Sequence, residues 1–408
     1  MACLRALILL LLLASLCRAD DWPQWLGSKR DGGTSEKIGA WKETPKKLWE
    51  HPIGAGYSVP VIVGERVFVH DRIKDKNQEQ VVAYDAKTGT ELWRDVYDRA
   101  PYASVLNTGP QSTPTAAGNR LYTFGITGVL SCYKVEKGER LWQVDTYKLL
   151  NATLPKFGVT CSPLVVGNRV IVAVGGKGSS VVAFDTEKGE LQWQALDEPA
   201  GTASPVLFAA GGKLPDAVFM TTLRLVGLNP LDGSMSWEHP LVFQPGGTAP
   251  TPMIMGNEIL TSTMTNGSTL IRLGAKDDKP TSEQVWQEKD LSGYFSTGVA
   301  IKDRLYVITN VLKPIPAATL RCIDRKTGKE QWKTSCGYFH AGLIRTGDGK
   351  LLILSDSGTL RLAEDTGKEL KELSNAKVCG GTLTNPSYAN GRLYLRDDKN
   401  VICYQLGE

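Results

Sequence analysis

A tryptophan returns every 44 to 51 residues along most of this chain, each time closing the same short phrase. The phrase is clearest from Ala83-Tyr84-Asp85 through Thr88-Gly89 to Trp93. It recurs from Ala183-Phe184-Asp185 to Trp193 and from Cys322-Ile323-Asp324 to Trp332. Looser copies end at Trp142, Trp237 and Trp286, and a bare Leu48-Trp49 precedes them all. In an eighth copy, Thr366-Gly367 leads to Lys371 where the tryptophan is due. A sustained period of this length marks a stack or ring of like units, each too small to bury its own apolar faces.

Each unit reads as strands. Most open on a hydroxyl-x-Pro or hydroxyl-Pro step, as at Ser58-Val59-Pro60, Ser112-Thr113-Pro114 and Ser204-Pro205. A glycine follows, then a β-branched run such as Val67-Phe68-Val69 or Val170-Ile171-Val172. That is strand, tight hairpin, strand. The Asp-x-x-Thr-Gly turn demands positive φ at its glycine and links the third strand to a fourth, which carries the tryptophan. No unit shows a helical period. The expected fold is all-β: an eight-bladed β-propeller of four-stranded antiparallel blades. The last unit stops after its third strand, at Cys403 to Leu406, and Leu48-Trp49 has a fourth strand with nothing before it. Pairing the two closes the ring and removes the free sheet edge. Trp49, Trp93, Trp142, Trp193, Trp237, Trp286 and Trp332 are then expected to dock each blade on the next.

Residues 1–19 read as a signal peptide: Arg5, an apolar stretch from Ala6 to Leu16, and a small-residue cleavage site ending at Ala19. That stretch is too short to span a bilayer as a helix. Cys17 could be read as a lipid-anchor site, but Leu16 is a poor neighbour for one. The chain is therefore expected to be exported, periplasmic or secreted. Residues 20–46 are expected to form an extended segment packing on the propeller of 47–408, with Trp22 and Trp25 either docking it there or exposed for a partner. Without Arg5 and Arg18 the balance is 45 basic to 43 acidic residues. Such a balance argues against nucleic acid, which needs a clustered basic surplus. Of the eight cysteines, Cys3 and Cys17 lie in the signal. Cys132, Cys322 and Cys403 align with Ala83, at a place that wants a small buried side chain. Cys336 and Cys379 sit in fourth-to-first-strand connections of neighbouring blades, and an oxidising compartment would favour a bridge between them.

The phrase A-x-D-x-x-T-G-x-x-x-W resembles the tryptophan-docking motif of the pyrroloquinoline-quinone (PQQ) repeat proteins. The periodicity covers Leu48 to Leu406. That superfamily holds quinoprotein alcohol dehydrogenases and also BamB, a non-enzymatic scaffold of outer-membrane barrel assembly. The start Asp21-Trp22-Pro23-Gln24-Trp25-Leu26-Gly27 resembles the D-W-P-Q-W-R-G opening of a secreted bacterial branch, with Leu26 in place of Arg. For the dehydrogenases the resemblance implies PQQ with Ca²⁺, an adjacent-cysteine disulfide against the quinone, and a Glu, Asn and Asp set about the metal. No Cys-Cys pair occurs here, and no Glu/Asn/Asp set aligns, although Asn107 and Asn385 fall near the expected channel mouths. No C-x-x-C-H haem site occurs either.

The remaining motifs are weak. His51, His70, His239 and His340 show no metal-ligand spacing. The run Gly175 to Ser180 lacks P-loop spacing. Asp71, Asp75 and Asn77 lack the glycine and terminal glutamate of a calcium loop. Strand order puts the fourth-to-first-strand connections on one face. They carry Tyr57, Tyr102, Phe157, Tyr294, Phe295, Tyr338, Phe339 and His340. Either these form an aromatic binding funnel or they pack between blades. The expected function is a non-catalytic scaffold for a protein partner in the cell envelope, with no cofactor. The alternatives are a PQQ-dependent oxidoreductase and a polysaccharide-binding module.

Overall fold

The computed structural model describes residues 21–104, 107–209, 215–241, 250–277, 279–312 and 314–406. The proposed signal, residues 1–19, lies outside them. Eight four-stranded antiparallel sheets stand around one axis. Blades 1 to 7 span 61–98, 115–145, 164–195, 206–240, 253–288, 299–337 and 341–377. Blade 8 takes three strands from 387–405 and its outer strand, Lys46–Pro52, from the other end of the fold. That strand pairs antiparallel with Asn400–Gln405, setting Trp49 opposite Cys403.

In blade 1 the strands are Val61–Val63, Arg66–Arg72, Gln78–Asp85 and Glu91–Asp98. The middle strands are apolar on both sides because a neighbouring blade covers each face, so they lack the alternation of a half-exposed strand. Val81, Val82 and Ala83 are fully or almost fully buried. Only the outer strands alternate.

The repeated phrase builds a repeated joint. Asp85 Oδ1 accepts from the backbone N–H groups of Lys87 and Thr88 (3.0 and 2.7 Å), and Gly89 takes φ 74°. These bonds, the Thr88 amide foremost, lower the Asp85 pKa. Trp49 of blade 8 lies against Gly89 and donates through Nε1 to Ala86 O at 3.1 Å. Trp93, Trp142, Trp193 and Trp286 repeat the contact on Val135, Thr186, Pro230 and Arg325, at 2.8–3.1 Å. A Cβ on the turn glycine would strike the indole, which is why the turn needs glycine twice over. Each fourth strand that carries a tryptophan also bulges one residue before it, at Leu48, Leu92 and Leu141 among others.

Two joints depart from the pattern. Blade 5 has no Thr-Gly turn; its third and fourth strands run on to Lys276 and Lys279. Trp237 therefore stays on its own blade, over Gly227, and donates to Asp216 Oδ2 at 2.9 Å. In blade 7 the residue after the bulge is Ser374, not Lys371: Leu362 pairs with Ser374 and Leu373 is the bulge. Lys371 pairs with Glu364 and is exposed. The sequence alignment misplaced the site because this hairpin closes early, between Thr366 and Glu369, and its strands pair further. Trp332 consequently donates to the Asp365 carboxylate (2.9 Å) instead of a turn carbonyl.

Nearer the axis a belt of hydroxyls joins the blades. The N–H of Val59 donates to Thr113 Oγ1, Thr113 to Ser162 Oγ, Ser162 to Ser204 Oγ and Thr251 to Thr297 Oγ1, at 2.9–3.2 Å. This is what the recurring hydroxyl before the first strand does. Gly342, Asn385 and Val59 hold the same place in blades 7, 8 and 1, so the belt is interrupted there.

Residues 21–41 cross the axis on the face of the Thr-Gly turns. Trp22 bridges to Ile62 of blade 1, and Pro23 O accepts from Ala116 of blade 2. Arg30 buries its guanidinium on Pro205 O (2.8 Å), Pro163 O and Thr115 Oγ1 (3.2 Å), with Gln24 Oε1 on its Nε (2.8 Å). Burial lowers its pKa to about 9, so it remains charged at neutral pH. Further on, Asp31 pairs with Arg345 of blade 7 (3.0 Å), and Glu36 accepts from Asn390 and Gly391 of blade 8 (2.8 and 2.9 Å). Trp41 then packs between blades 7 and 8, where the Ser374 hydroxyl holds its backbone N–H and C=O (2.8 and 2.7 Å). An indole from outside the ring thus serves the joint that lacks its own.

The expected Cys336–Cys379 bridge is not formed. Both are buried free thiols on opposite sides of blade 7: Cys336 packs in the core shared with blade 6, Cys379 in the core shared with blade 8. Sharing a face of the ring did not put them in one layer.

Candidate functional site

The face opposite the N-terminal segment opens at the axis into a cavity of about 130 Å³. Its walls are Tyr57, Phe157, Tyr294, Phe295 and His340, supplied by four different inter-blade connections, and its floor is Trp25. Tyr294 and Phe295 are themselves in contact, with ring centroids 3.9 Å apart. Trp25 reaches the floor because the N-terminal segment closes the channel from the other side. Its Nε1 donates to Thr251 Oγ1 at 2.8 Å. The polar lining is neutral: Gln111, Thr160, Ser162, Thr202, Ser204 and Thr384. Among the described residues no Lys, Arg, Asp or Glu lines the cavity.

His340 is the titratable group of most consequence here. It is buried, and desolvation lowers its pKa to about 4 against the opposing pull of Asp356. The imidazole is therefore neutral at neutral pH. Nδ1 lies 2.8 Å from Ser296 Oγ, while the ring also faces Asn385 and the Thr384 backbone, which favour its charged form without making a close hydrogen bond to Nε2. Asn385, at the interruption of the hydroxyl belt, faces His340, and neither of its amide atoms makes a close hydrogen bond.

Three of the eight funnel residues stand elsewhere. Tyr102 donates to Lys156 O (3.0 Å) over the connection between blades 2 and 3. Tyr338 and Phe339 project from the rim, 62% and 41% exposed. The Asp356 carboxylate fixes their loop by accepting from both backbone N–H groups, at 3.1 and 2.6 Å. A second groove of about 630 Å³, over blade 3, shares Phe157 and Thr202 with the axial cavity.

Sequence reasoning missed Trp25 as a cavity wall and a buried polar chain beside the site. Tyr97 OH donates to Glu79 Oε2 (2.6 Å) and lies 2.7 Å from His70 Nε2, and Arg99 Nε stands 3.5 Å from Glu79 Oε1. Glu79 Oε1 also accepts from the Ile126 N–H of blade 2 (3.2 Å), so the chain ties blade 1 to blade 2. None of these four residues lines the axial cavity. Their spacing along the sequence carries no recognisable pattern.

The residues at the axis do not fit a calcium-bound quinone. PQQ is a tricarboxylate, and the lining offers it no cation. Arg30, beyond the floor, is spent on neutral oxygens. Among the described residues no group of three or more His, Cys, Asp or Glu could hold a metal. Asn107, one of the two asparagines near the mouth, turns its Oδ1 to the Gly109 N–H (2.8 Å).

A family model described as outer membrane protein assembly factor BamB matches residues 32–113, 79–334 and 316–405, nearly the whole ring. The chain belongs to this BamB family of PQQ-like propellers. Among curated relatives of this BamB-family propeller, the outer membrane protein assembly factor BamB of Yersinia pestis is 23% identical over 313 residues, 74% of each chain. The quinohemoprotein alcohol dehydrogenase ADH IIB of Pseudomonas putida is 27% identical over 136 residues, 31% of this chain and only 19% of that enzyme. Solved structures agree on the fold. BamB from Moraxella catarrhalis superposes with a TM-score of 0.60 at 15% identity, covering 89% of this chain and all of that one. A europium-containing methanol dehydrogenase gives 0.69 at 13% identity, over 92% and 89% of the two chains. At such identities the family propeller is shared and the chemistry is not thereby decided.

Proposed function

We propose that this BamB-family propeller is an exported, non-catalytic scaffold that docks a protein partner of the cell envelope on the face bearing the aromatic rim. The observation that carries this reading is the pair Tyr338 and Phe339, two large aromatic side chains held out to solvent by Asp356. Exposed aromatics on a fixed loop lose little entropy on contact and make effective anchors. The axial lining supports the same reading, since among the described residues it brings no Asp, Glu or Cys to hold a catalytic metal. Export rests on the apolar stretch Ala6–Leu16 and the small-residue site at Ala19.

The test is cross-linking in the native host's envelope followed by capture of the tagged chain. One protein should be captured by the natural chain and lost from a Tyr338→Ala/Phe339→Ala variant that melts normally. In parallel, the protein is incubated with PQQ and Ca²⁺ and assayed by dye reduction over alcohols and aldoses. Saturable, quinone-dependent turnover overturns the scaffold reading.

A further inference from the structure

The axial cavity holds more unspent hydrogen-bonding capacity than a packing void needs. Ser162 Oγ and Ser204 Oγ each accept a belt N–H at 3.0 Å, and their own hydroxyl hydrogens have no acceptor among the described residues. Gln111 donates through Nε2 to Phe157 O (3.0 Å), which leaves its carbonyl oxygen for another donor. His340, buried in the wall, makes no close hydrogen bond through Nε2. Two serine hydroxyls, an amide carbonyl and a buried ring nitrogen with hydrogen-bonding capacity to spare, all lining one cavity, suit a site that receives a polar ligand.

The chemistry of the occupant follows. A charged ligand would find no counter-ion in the neutral lining. A purely aromatic ligand would cover Trp25 and Phe157 and leave the polar groups unsatisfied. A ring with an apolar face and hydroxyls along its edge meets both demands. The volume, about 130 Å³, is close to that of a cavity known to admit benzene (roughly 150 Å³), which is room for one six-membered ring. We infer that the axial cavity is a binding site for a single neutral pyranose unit, stacked on Trp25 and Phe157 and hydrogen-bonded by Ser162, Ser204, Gln111 and the neutral His340. The inference goes beyond the partner reading, which rests on the rim.

The experiment is a titration with D-glucose, D-galactose, N-acetyl-D-glucosamine and their β-linked disaccharides. It is followed by calorimetry and by the fluorescence of the indoles, one of which is the floor. At least one sugar should bind saturably. Phe157→Ala and Gln111→Leu, each with a normal melting curve, should weaken it roughly tenfold, the effect of one aromatic or hydrogen-bond contact. Tyr338→Ala should leave it unchanged. Four results overturn the inference: no saturable binding by natively melting protein; affinity indifferent to both cavity variants; preference for N-acetyl-tyrosine amide over every sugar; or uptake of PQQ with Ca²⁺ that sugars do not displace. Sugar binding lost with envelope capture retained, or the reverse, separates this inference from the scaffold reading.

Discussion

At the scale of single residues, what a side chain does here is set by which blade it faces. Trp193 is buried between blades 3 and 4, with its indole N–H on Pro230 O. Trp193→Ala should cost about 3–5 kcal/mol in denaturant melts, as large aromatic deletions in a core do. A cost below about 1 kcal/mol would remove it from the packing role. His340 makes a second prediction. Its folded pKa is lowered to about 4 by burial, while the unfolded chain protonates it near the ordinary 6.5. Between those values the unfolded state binds the extra proton. The contribution of the neutral buried ring is therefore present above pH 6.5 and is lost as pH falls toward 4. His340→Gln should flatten that part of the stability–pH profile, by a difference on the order of 3 kcal/mol between pH 7 and pH 4. Urea melts of both proteins at three pH values measure it.

At the scale of elements, the repeat was legible because one joint is used many times. Eight bulged outer strands and a shared turn leave a period that no single substitution hides. What the sequence concealed were the joints built from other parts. Ser374 is an ordinary serine until its hydroxyl is seen holding Trp41, some 333 residues away in sequence. Trp237 keeps its place in the period and yet turns back onto its own blade, because the missing Thr-Gly turn belongs to the following unit. The site was half legible for a similar reason. The topology announced which connections share a face, so five of the eight funnel residues meet at one cavity. Trp25 comes from a segment with no repeat to align it, and Arg30 finds its acceptors only when three blades converge. Trp41→Ala should destabilise the 7/8 joint by about 2–4 kcal/mol, with hydrogen exchange rising first in 370–377 and 387–396. Uniform exchange, unchanged from the natural chain, would contradict the surrogate role.

At the scale of the whole molecule, the ring is held without covalent cross-links among the described residues. All six of their cysteines are buried free thiols, and burial raises each pKa to about 11 or 12. Folded protein with residues 1–19 removed should therefore leave Ellman's reagent almost uncoloured at pH 8, and release six equivalents in guanidinium. Colour appearing without denaturant would mean that a blade opens. Removing residues 21–41 should lower the denaturation midpoint well beyond any single tryptophan variant, since that segment bonds to blades at every quarter of the ring.

Residues 21–52 precede every blade in the chain, yet their partners include Arg345, Ser374, Asn390 and Asn400–Gln405. A ribosome or a secretory pore delivers them first and those binding sites last. The strap meets blades 1 and 2 early, but its far end and the outer strand of blade 8 wait for blades 7 and 8, and until then the growing arc keeps two raw edges. Completion is thus announced by a single event, the docking of the oldest part of the chain onto the youngest. Any product stopped before residue 400 leaves the outer strand Lys46–Pro52 without its partner strand, an open invitation to a protease. The finished ring hides the strap under its own hub.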